Sequence, residues 1–242
     1  MTSIFALIPA RFESTRFPGK PLALILGEPM ISHVYKRASL IKDIDGVYVA
    51  TDSPEIYDKV LEFGGKVIMT KKSHPSGSDR LAEAAHILGI EGDDIVLNIQ
   101  GDQPALNPEH PRLLYRALLR SATSVTATLA IPMEMEDVFN PNHVKVVLDQ
   151  SSNAIYFSRS PIPHGGKDKD YLKHIGIYAF RASFLYKYVS LPRGPLELAE
   201  SLEQLRILEN GYQIKVVVSD GLSPEVDTPQ DIALAEAAIS NG

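Results

Sequence analysis

Short, mainly apolar blocks recur along the first half of the chain, at Ile4 to Ile8, which is unbroken, and at Gly46 to Thr51, Lys66 to Met69 and Ile95 to Ile99. Continuous rather than alternating runs of this length predict strands covered on both faces, as in a parallel sheet. Between them the spacing becomes helical. Met30, Ile31, Val34 and Ala38 predict a helix over 29–40, and Leu81, Ala84, Ala85 and Leu88 predict another, entered through Ser76 to Arg80. Asp52 with Glu55 three residues on reads as a further helix start, Asp52 being the N-cap, and Gly64–Gly65 as its end. Strand and helix in this cadence predict an α/β fold around a mostly parallel sheet.

From about residue 123 the cadence changes. Ser124 to Ile131, Val144 to Leu148, Ala154 to Phe157 and His174 to Phe180 are strand-like with few helices between, which predicts an antiparallel extension of the sheet and a smaller lobe serving as lid or dimer contact. Helices near 182–190 and 195–210 and a strand over 214–218 follow, and Thr228, Pro229 and Asp231 occupy the N-cap, N1 and N3 places of a last helix. Pro161 to Asp170, rich in Pro, Gly, Lys and Asp, predicts a mobile loop. With no clear linker, the expectation is one domain over 1–242.

Composition narrows the function classes. The chain has no cysteine, which excludes disulfides, thiolate metal sites and a cysteine nucleophile. Thirty acidic against 24 basic residues give a formal charge of -6, and no long basic stripe stands out, which argues against nucleic-acid binding. No apolar run approaches the roughly 18 residues of a membrane-spanning helix, and Met1 to Phe5 lack the basic and apolar regions of a signal peptide. A soluble cytoplasmic protein acting on a small anionic partner is the expectation.

Against that acidic background the loop after the first strand, Pro9 to Pro21, concentrates Arg11, Arg16 and Lys20. In an open α/β sheet this edge faces the ligand crevice. Gly19 permits close backbone approach, and Pro9, Pro18 and Pro21 stiffen the segment, so a polyphosphate site is predicted, with a solvated basic turn as the competing reading. Neither Gly-x-x-x-x-Gly-Lys-[Ser/Thr] nor Gly-x-Gly-x-x-Gly occurs, so side-chain cations must hold the phosphates. Asp102, in Gln100-Gly101-Asp102 at the end of the fourth predicted strand, reads as a Mg²⁺ ligand on the same edge, or as the cap of a turn. Asp227 reads first as a helix cap, although two aspartates at separate element ends can converge on one metal.

Other candidates are open at this level. Ser76, Gly77 and Arg80 form a loop-to-helix start where amides can meet a ligand, or a helix cap with a surface arginine. Arg159 offers a fork to a carboxylate, and His174 and Tyr178 offer hydrogen bonds to hydroxyls. His174 and Tyr178 share one strand face, with Lys173 and Ile175 on the other, and a satisfied core histidine is the alternative. Glu203 and Gln204 fall mid-helix, where polar side chains are usually solvated.

Taken in order, Ile8-Pro9-Ala10-Arg11, Ser14 to Pro21, Ala50-Thr51-Asp52, Ser76-Gly77 with Arg80, Gln100-Gly101-Asp102, Tyr156 to Arg159, Lys173 to Tyr178, Leu202 to Arg206 and Val226 to Pro229 resemble the 3-deoxy-D-manno-octulosonate (Kdo) cytidylyltransferases, or CMP-Kdo synthetases. The resemblance implies a Rossmann-like nucleotidyltransferase fold, usually a homodimer. It implies a reaction of CTP with a 2-keto-3-deoxy sugar acid, with Mg²⁺, for lipopolysaccharide or capsule synthesis. It divides the chain into a CTP-binding half to about 122, a sugar-binding and dimerisation lobe over 123–225 and a closing helix over 226–242. By it, Arg11, Arg16 and Lys20 hold the triphosphate, and Ala10, Ser76, Gly77 and Arg80 hold cytidine. Asp102 and Asp227 bind Mg²⁺, and Arg159, His174, Tyr178, Glu203 and Gln204 hold the sugar acid, with Gln100 between the substrates. Arg16, Lys20, Asp102 and Asp227 form the implied catalytic set.

Three positions depart from the family. Gln103 stands where many members carry glutamate, His164 replaces a frequent aromatic residue, and the loop over 161–170 is short. Kdo is the expected acceptor, with its 8-amino analogue or a sialic acid as the alternative. A non-catalytic nucleotide-binding regulator on the same fold is the reading from another class.

Overall fold

The computed structural model describes residues 2–13, 17–167, 170–221 and 224–240. Its elements are, in order, β1 (Ile4–Ala10), β2 (Leu24–Ile25), β3 (Glu28–Pro29), α1 (Met30–Ala38), β4 (Gly46–Thr51), α2 (Pro54–Glu62), β5 (Val67–Met69), α3 (Gly77–Ile87), β6 (Ile95–Asn98) and α4 (Glu109–Leu119). The second half adds β7 (Thr126–Pro132), α5 (Met135–Val138), β8 (Lys145–Leu148), β9 (Ala154–Ser158), β10 (Leu172–Arg181), α6 (Ala182–Ser190), α7 (Pro195–Glu200), α8 (Leu205–Glu209), β11 (Ile214–Val218) and α9 (Ile232–Ser240).

The main sheet runs β11-β7-β10-β6-β1-β4-β5, with β8 paired to β10 and to β9. β1, β4, β5 and β6 are mutually parallel where they pair, and β10 lies antiparallel between β6 and β7. The expected α/β architecture and its antiparallel extension are therefore present. The unbroken apolar runs follow from two covered faces. Ala6 and Ile8 enter one core with Met30, Ile31 and Val34 of α1, Ile56 of α2 and Leu114 of α4, while Leu7 between them enters the other with Leu81 and Ala85 of α3 and Leu185 of α6. Each fully buried side chain of this kind contributes about 1.5–3 kcal/mol relative to exposure.

Several boundaries differ from the sequence expectation. The N-cap of α2 is Ser53, not Asp52: Pro54 fixes the first helical position, Ser53 stays extended and its Oγ accepts from the Ile56 amide at 3.3 Å. The helix expected over 195–210 is two, α7 and α8, because Ser201 adopts φ 53° and breaks the ladder. Glu203 and Gln204 consequently sit in the connecting turn rather than mid-helix. Helix α4 and the β2–β3 hairpin, whose tip residues Leu26 and Gly27 both have positive φ, add to the expected elements. The capping box of Thr228 and Asp231 is present, over a short 3-10 turn leading into α9.

Candidate active site

β1 and β6 are parallel neighbours, with Leu7 opposite Asn98, so the loops that follow them leave the same edge. Gly101 lets them pass: a Cβ there would stand 3.0 Å from the Pro9 carbonyl oxygen. Asp102 is thereby placed beside the loop from β1. Gly19, at φ 70°, starts a 3-10 turn over Lys20–Leu22, so it serves a left-handed backbone turn. From this turn the Lys20 ammonium donates to Asp102 Oδ2 at 2.8 Å and to the Val226 carbonyl at 2.9 Å, and lies 3.5 Å from Asp227 Oδ1. The Val226 amide donates in turn to the Asp102 carbonyl at 2.9 Å.

Asp227 is not the helix cap. Thr228 is the N-cap, in a box with Asp231, whose Oδ2 accepts from the backbone amides of Asp227 and Thr228 and from the Thr228 hydroxyl at 2.7–3.0 Å. Two carboxylates from distant segments thus converge on one cation. This donor set suits Mg²⁺, which is usually held by one or two carboxylates plus substrate phosphates and water. Among the described residues no group of three or more His, Asp or Glu forms a further metal cage.

Two cavities open from this edge. One, of about 300 Å³, is lined by Gly77, Ser78, Gln100, Tyr178, Glu203 and Gln204 among others. The second, of about 680 Å³, is lined by Asp102, Arg159, Lys173, Glu225, Asp227 and Asp231 among others. Gln100 and His174 line both. Gln100 is anchored there by donating to the Gly176 carbonyl at 2.7 Å.

Arg159 is built as a fixed cation. Its Nε donates to the Glu200 carbonyl at 2.8 Å, Nη1 to that of Pro141 at 3.0 Å and Nη2 to that of Ser201 at 3.4 Å. None of these acceptors carries a full charge, so the guanidinium remains available to an anion. Beneath it, the fully buried Lys145 ammonium donates to the Asn140 and Arg159 carbonyls, and the Glu200 carboxylate accepts from the Arg159 amide and the Ser158 hydroxyl. Burial pushes the Lys145 ammonium down, with Glu200 opposing. Lys145 and Glu200 escaped the sequence reading, because a short strand and a short helix give no sign that the Asn140 and Arg159 carbonyls will enclose the ammonium or that the carboxylate will brace Arg159 and Ser158.

His174 and Tyr178 do share a face, with ring centroids 5.5 Å apart. Thr128 gives its hydroxyl proton to the Ile177 carbonyl at 2.8 Å, so at 3.0 Å it accepts from His174 Nε2, an assignment made from the hydrogen-bond network. Nδ1 is left as an acceptor. Desolvation lowers the His174 pKa to about 3, which keeps the ring neutral. Lys173, expected on the opposite face with Ile175, also lines the larger cavity, because the strand forks there: Leu172 and Lys173 pair with both β7 and β8.

The turn carrying Glu203 and Gln204 is pinned from below. The buried Glu197 carboxylate takes two donors from Arg206 and one from Arg193. Arg206 stacks over Tyr188, whose hydroxyl donates to the Glu203 carbonyl at 3.1 Å. Gly194 leaves room for this frame, since a Cβ there would run into the Glu209 carboxylate that caps α7. Burial pushes the Glu203 carboxyl up. Gln204 is buried rather than solvated.

The remaining candidates divide. Ser76 caps α3, its Oγ accepting from the Asp79 amide at 3.3 Å, and Gly77 opens the smaller cavity beside Pro9. Arg80 is no surface arginine. It is fully buried, paired to Asp52 at 2.9 Å and hydrogen-bonded to Thr70. Ala10 is buried at the end of β1, and the buried Nη2 of Arg11 has no hydrogen-bond partner among the described residues. Arg16 lies outside the described residues. Gln103 is fully buried and donates to Glu225 Oε1 at 2.8 Å; burial and the neighbouring Asp102 push the Glu225 carboxyl up.

Comparison with known proteins fits this geometry. The cytidylyltransferase family model matches residues 5–215. The 8-amino-3,8-dideoxy-manno-octulosonate cytidylyltransferase of Shewanella pealeana is 51% identical, with 98% of this chain and 99% of the relative covered. The 3-deoxy-manno-octulosonate cytidylyltransferase of Syntrophobacter fumaroxidans is 50% identical over 95% of this chain and 94% of its own. A solved CMP:2-keto-3-deoxy-manno-octonic acid synthetase, complexed with CTP, superposes with a TM-score of 0.93 at 41% identity, covering 99% of both chains. A 4-diphosphocytidyl-2C-methyl-D-erythritol synthase shares the fold, at a TM-score of 0.69 and 15% identity. The chain belongs to the cytidylyltransferase family, among the CMP-Kdo synthetases.

Proposed function

We propose that this enzyme joins CTP to 8-amino-3,8-dideoxy-manno-octulosonate, giving the CMP-sugar and pyrophosphate. The observation that carries the choice of sugar acid is the 51% identity, over almost the full length of both chains, to a relative named for that substrate. Plain Kdo is the second reading, supported by the Syntrophobacter relative at 50%.

In the proposed reaction the anomeric hydroxyl attacks the α-phosphorus. A new P–O bond forms, the bond from the α-phosphorus to the bridging oxygen breaks, pyrophosphate takes the electron pair, and the hydroxyl proton is released to water. Arg11 and Lys20 face the phosphates, and each such cation about 4 Å from a phosphate charge is worth roughly 4 kcal/mol at an effective dielectric near 20. Arg159 orients the sugar carboxylate, and His174 Nδ1 with Tyr178 takes up its hydroxyls. Mg²⁺ held by Asp102 and Asp227 would supply charge neutralisation on the phosphates. Catalysis on this account is positioning and electrostatics, with no covalent enzyme intermediate. Two copies are proposed to pair through the smaller lobe, where Ile155 on β9 and Leu196 and Leu198 on the adjoining α7 are exposed.

The test is pyrophosphate release with CTP and Mg²⁺ and each acid in turn. A kcat/KM at least about tenfold higher for the amino acid supports the reading, and a preference for plain Kdo overturns its choice of acceptor.

A further inference from the structure

The cavity of about 680 Å³ is lined by charges of both signs. Arg159 and Lys173 line it as cations, and Asp102, Asp227, Asp231 and Glu225 as carboxylates. Three of the four carboxylates are committed: Asp102 and Asp227 to Lys20, and Asp231 to the start of the last helix. Glu225 differs. Its carboxylate lines the cavity, accepts a hydrogen bond from Gln103 and, among the described residues, forms no ion pair within 4 Å.

We propose that Glu225, oriented by Gln103, is the subsite for the terminal ammonium of the sugar acid and selects an amine over a hydroxyl there. This rests on the reading that the chain acts on the 8-amino acid. Such a substrate is a zwitterion with a carboxylate at one end of its carbon chain and an ammonium at the other. A cavity with the free Arg159 guanidinium and the free Glu225 carboxylate on its walls is complementary to both ends.

The residue beside Glu225 makes the same point. Gln103 is fully buried and its Nε2 donates to Glu225 Oε1 at 2.8 Å. A glutamate at 103, whose carboxylate only accepts, would offer Glu225 no donor in place of the Gln103 amide. The amide instead holds a single acceptor in place. Backbone placement is equally firm, since the adjoining Val226 bonds to Asp102 through its amide and to Lys20 through its carbonyl. A hydroxyl at the sugar terminus would make one ordinary hydrogen bond to Glu225, whereas an ammonium makes a charge-assisted one, roughly twice as strong.

The experiment compares wild type with Glu225→Gln, measuring kcat/KM for 8-amino-3,8-dideoxy-manno-octulosonate and for its 8-hydroxy counterpart under the same CTP and Mg²⁺. The ratio of amino to hydroxy acid falls about tenfold or more in the variant, through KM for the amino acid, as expected for one lost charged hydrogen bond. A ratio within twofold of wild type, in a variant that melts normally and binds CTP, overturns the subsite. Should Glu225→Gln unfold, Glu225→Ala, which truncates an exposed side chain, is read the same way. A wild-type enzyme that prefers the hydroxy acid overturns the choice of acceptor itself. A wild-type preference for the amine that survives both variants overturns the Glu225 assignment alone.

Discussion

The Lys20 ammonium rests 2.8 Å from the Asp102 carboxylate and joins, through it, two loops that are 82 residues apart in sequence. Asp227 approaches the same nitrogen at 3.5 Å, so one positive and two negative charges meet at the sheet edge. The excess negative charge suits a divalent cation, and the lysine suits the phosphates that would arrive with it.

Replacing Asp102 by Asn removes one of those charges without changing side-chain size. Turnover falls by at least about 10²-fold at saturating Mg²⁺, the scale of a lost electrostatic stabiliser, while the melting curve stays within a few degrees of wild type. Retained activity would dismiss the metal-ligand role.

Arg159→Ala should separate the two substrates. Among the described residues the guanidinium is held by three carbonyls and no carboxylate, so its loss raises KM for the sugar acid about tenfold or more, the scale of a charged hydrogen bond. KM for CTP moves much less. An equal rise in both would place Arg159 outside the sugar site.

His174 gives a pH signature in stability. Its folded-state pKa of about 3 lies below the ordinary 6.5, so between those values the unfolded chain binds a proton that the folded chain refuses. Stability therefore rises with pH through that window and is lost on acidification. His174→Gln should flatten the difference between urea midpoints at pH 4.5 and pH 7.5. An unchanged difference would mean that the ring is not buried neutral.

Glu197 is the test of the frame beneath Glu203 and Gln204. Glu197→Ala leaves Arg206 without its carboxylate in a buried position and should cost about 3–5 kcal/mol of unfolding free energy by urea titration. A loss below about 1 kcal/mol would show that the pair is not buried in solution.

The sequence disclosed this protein where local chemistry and final environment agree. Ile4 to Ile8 is apolar throughout because both faces of β1 are covered, and Thr228 with Asp231 spells a capping box that exists. It concealed what depends on distant partners. Arg80 looks like a surface residue until Asp52 and Thr70 are brought to it across the sheet, and Lys145 looks solvated until the Asn140 and Arg159 carbonyls enclose it. The break at Ser201 was hidden because a left-handed serine has no local signature, yet it turns Glu203 and Gln204 out of a helix and into the cavity wall. Helix α4 opens through Pro108, and Pro111 in its first turn masks the spacing of His110, Leu114 and Leu118 behind it.

The most direct measurement of the central claim follows the α-phosphorus. With CTP labelled at that atom, Mg²⁺ and the 8-amino sugar acid, the account predicts that label passes into a CMP-sugar while unlabelled pyrophosphate accumulates in equal amount. Label recovered only as CTP, or as free CMP without sugar attached, would contradict it.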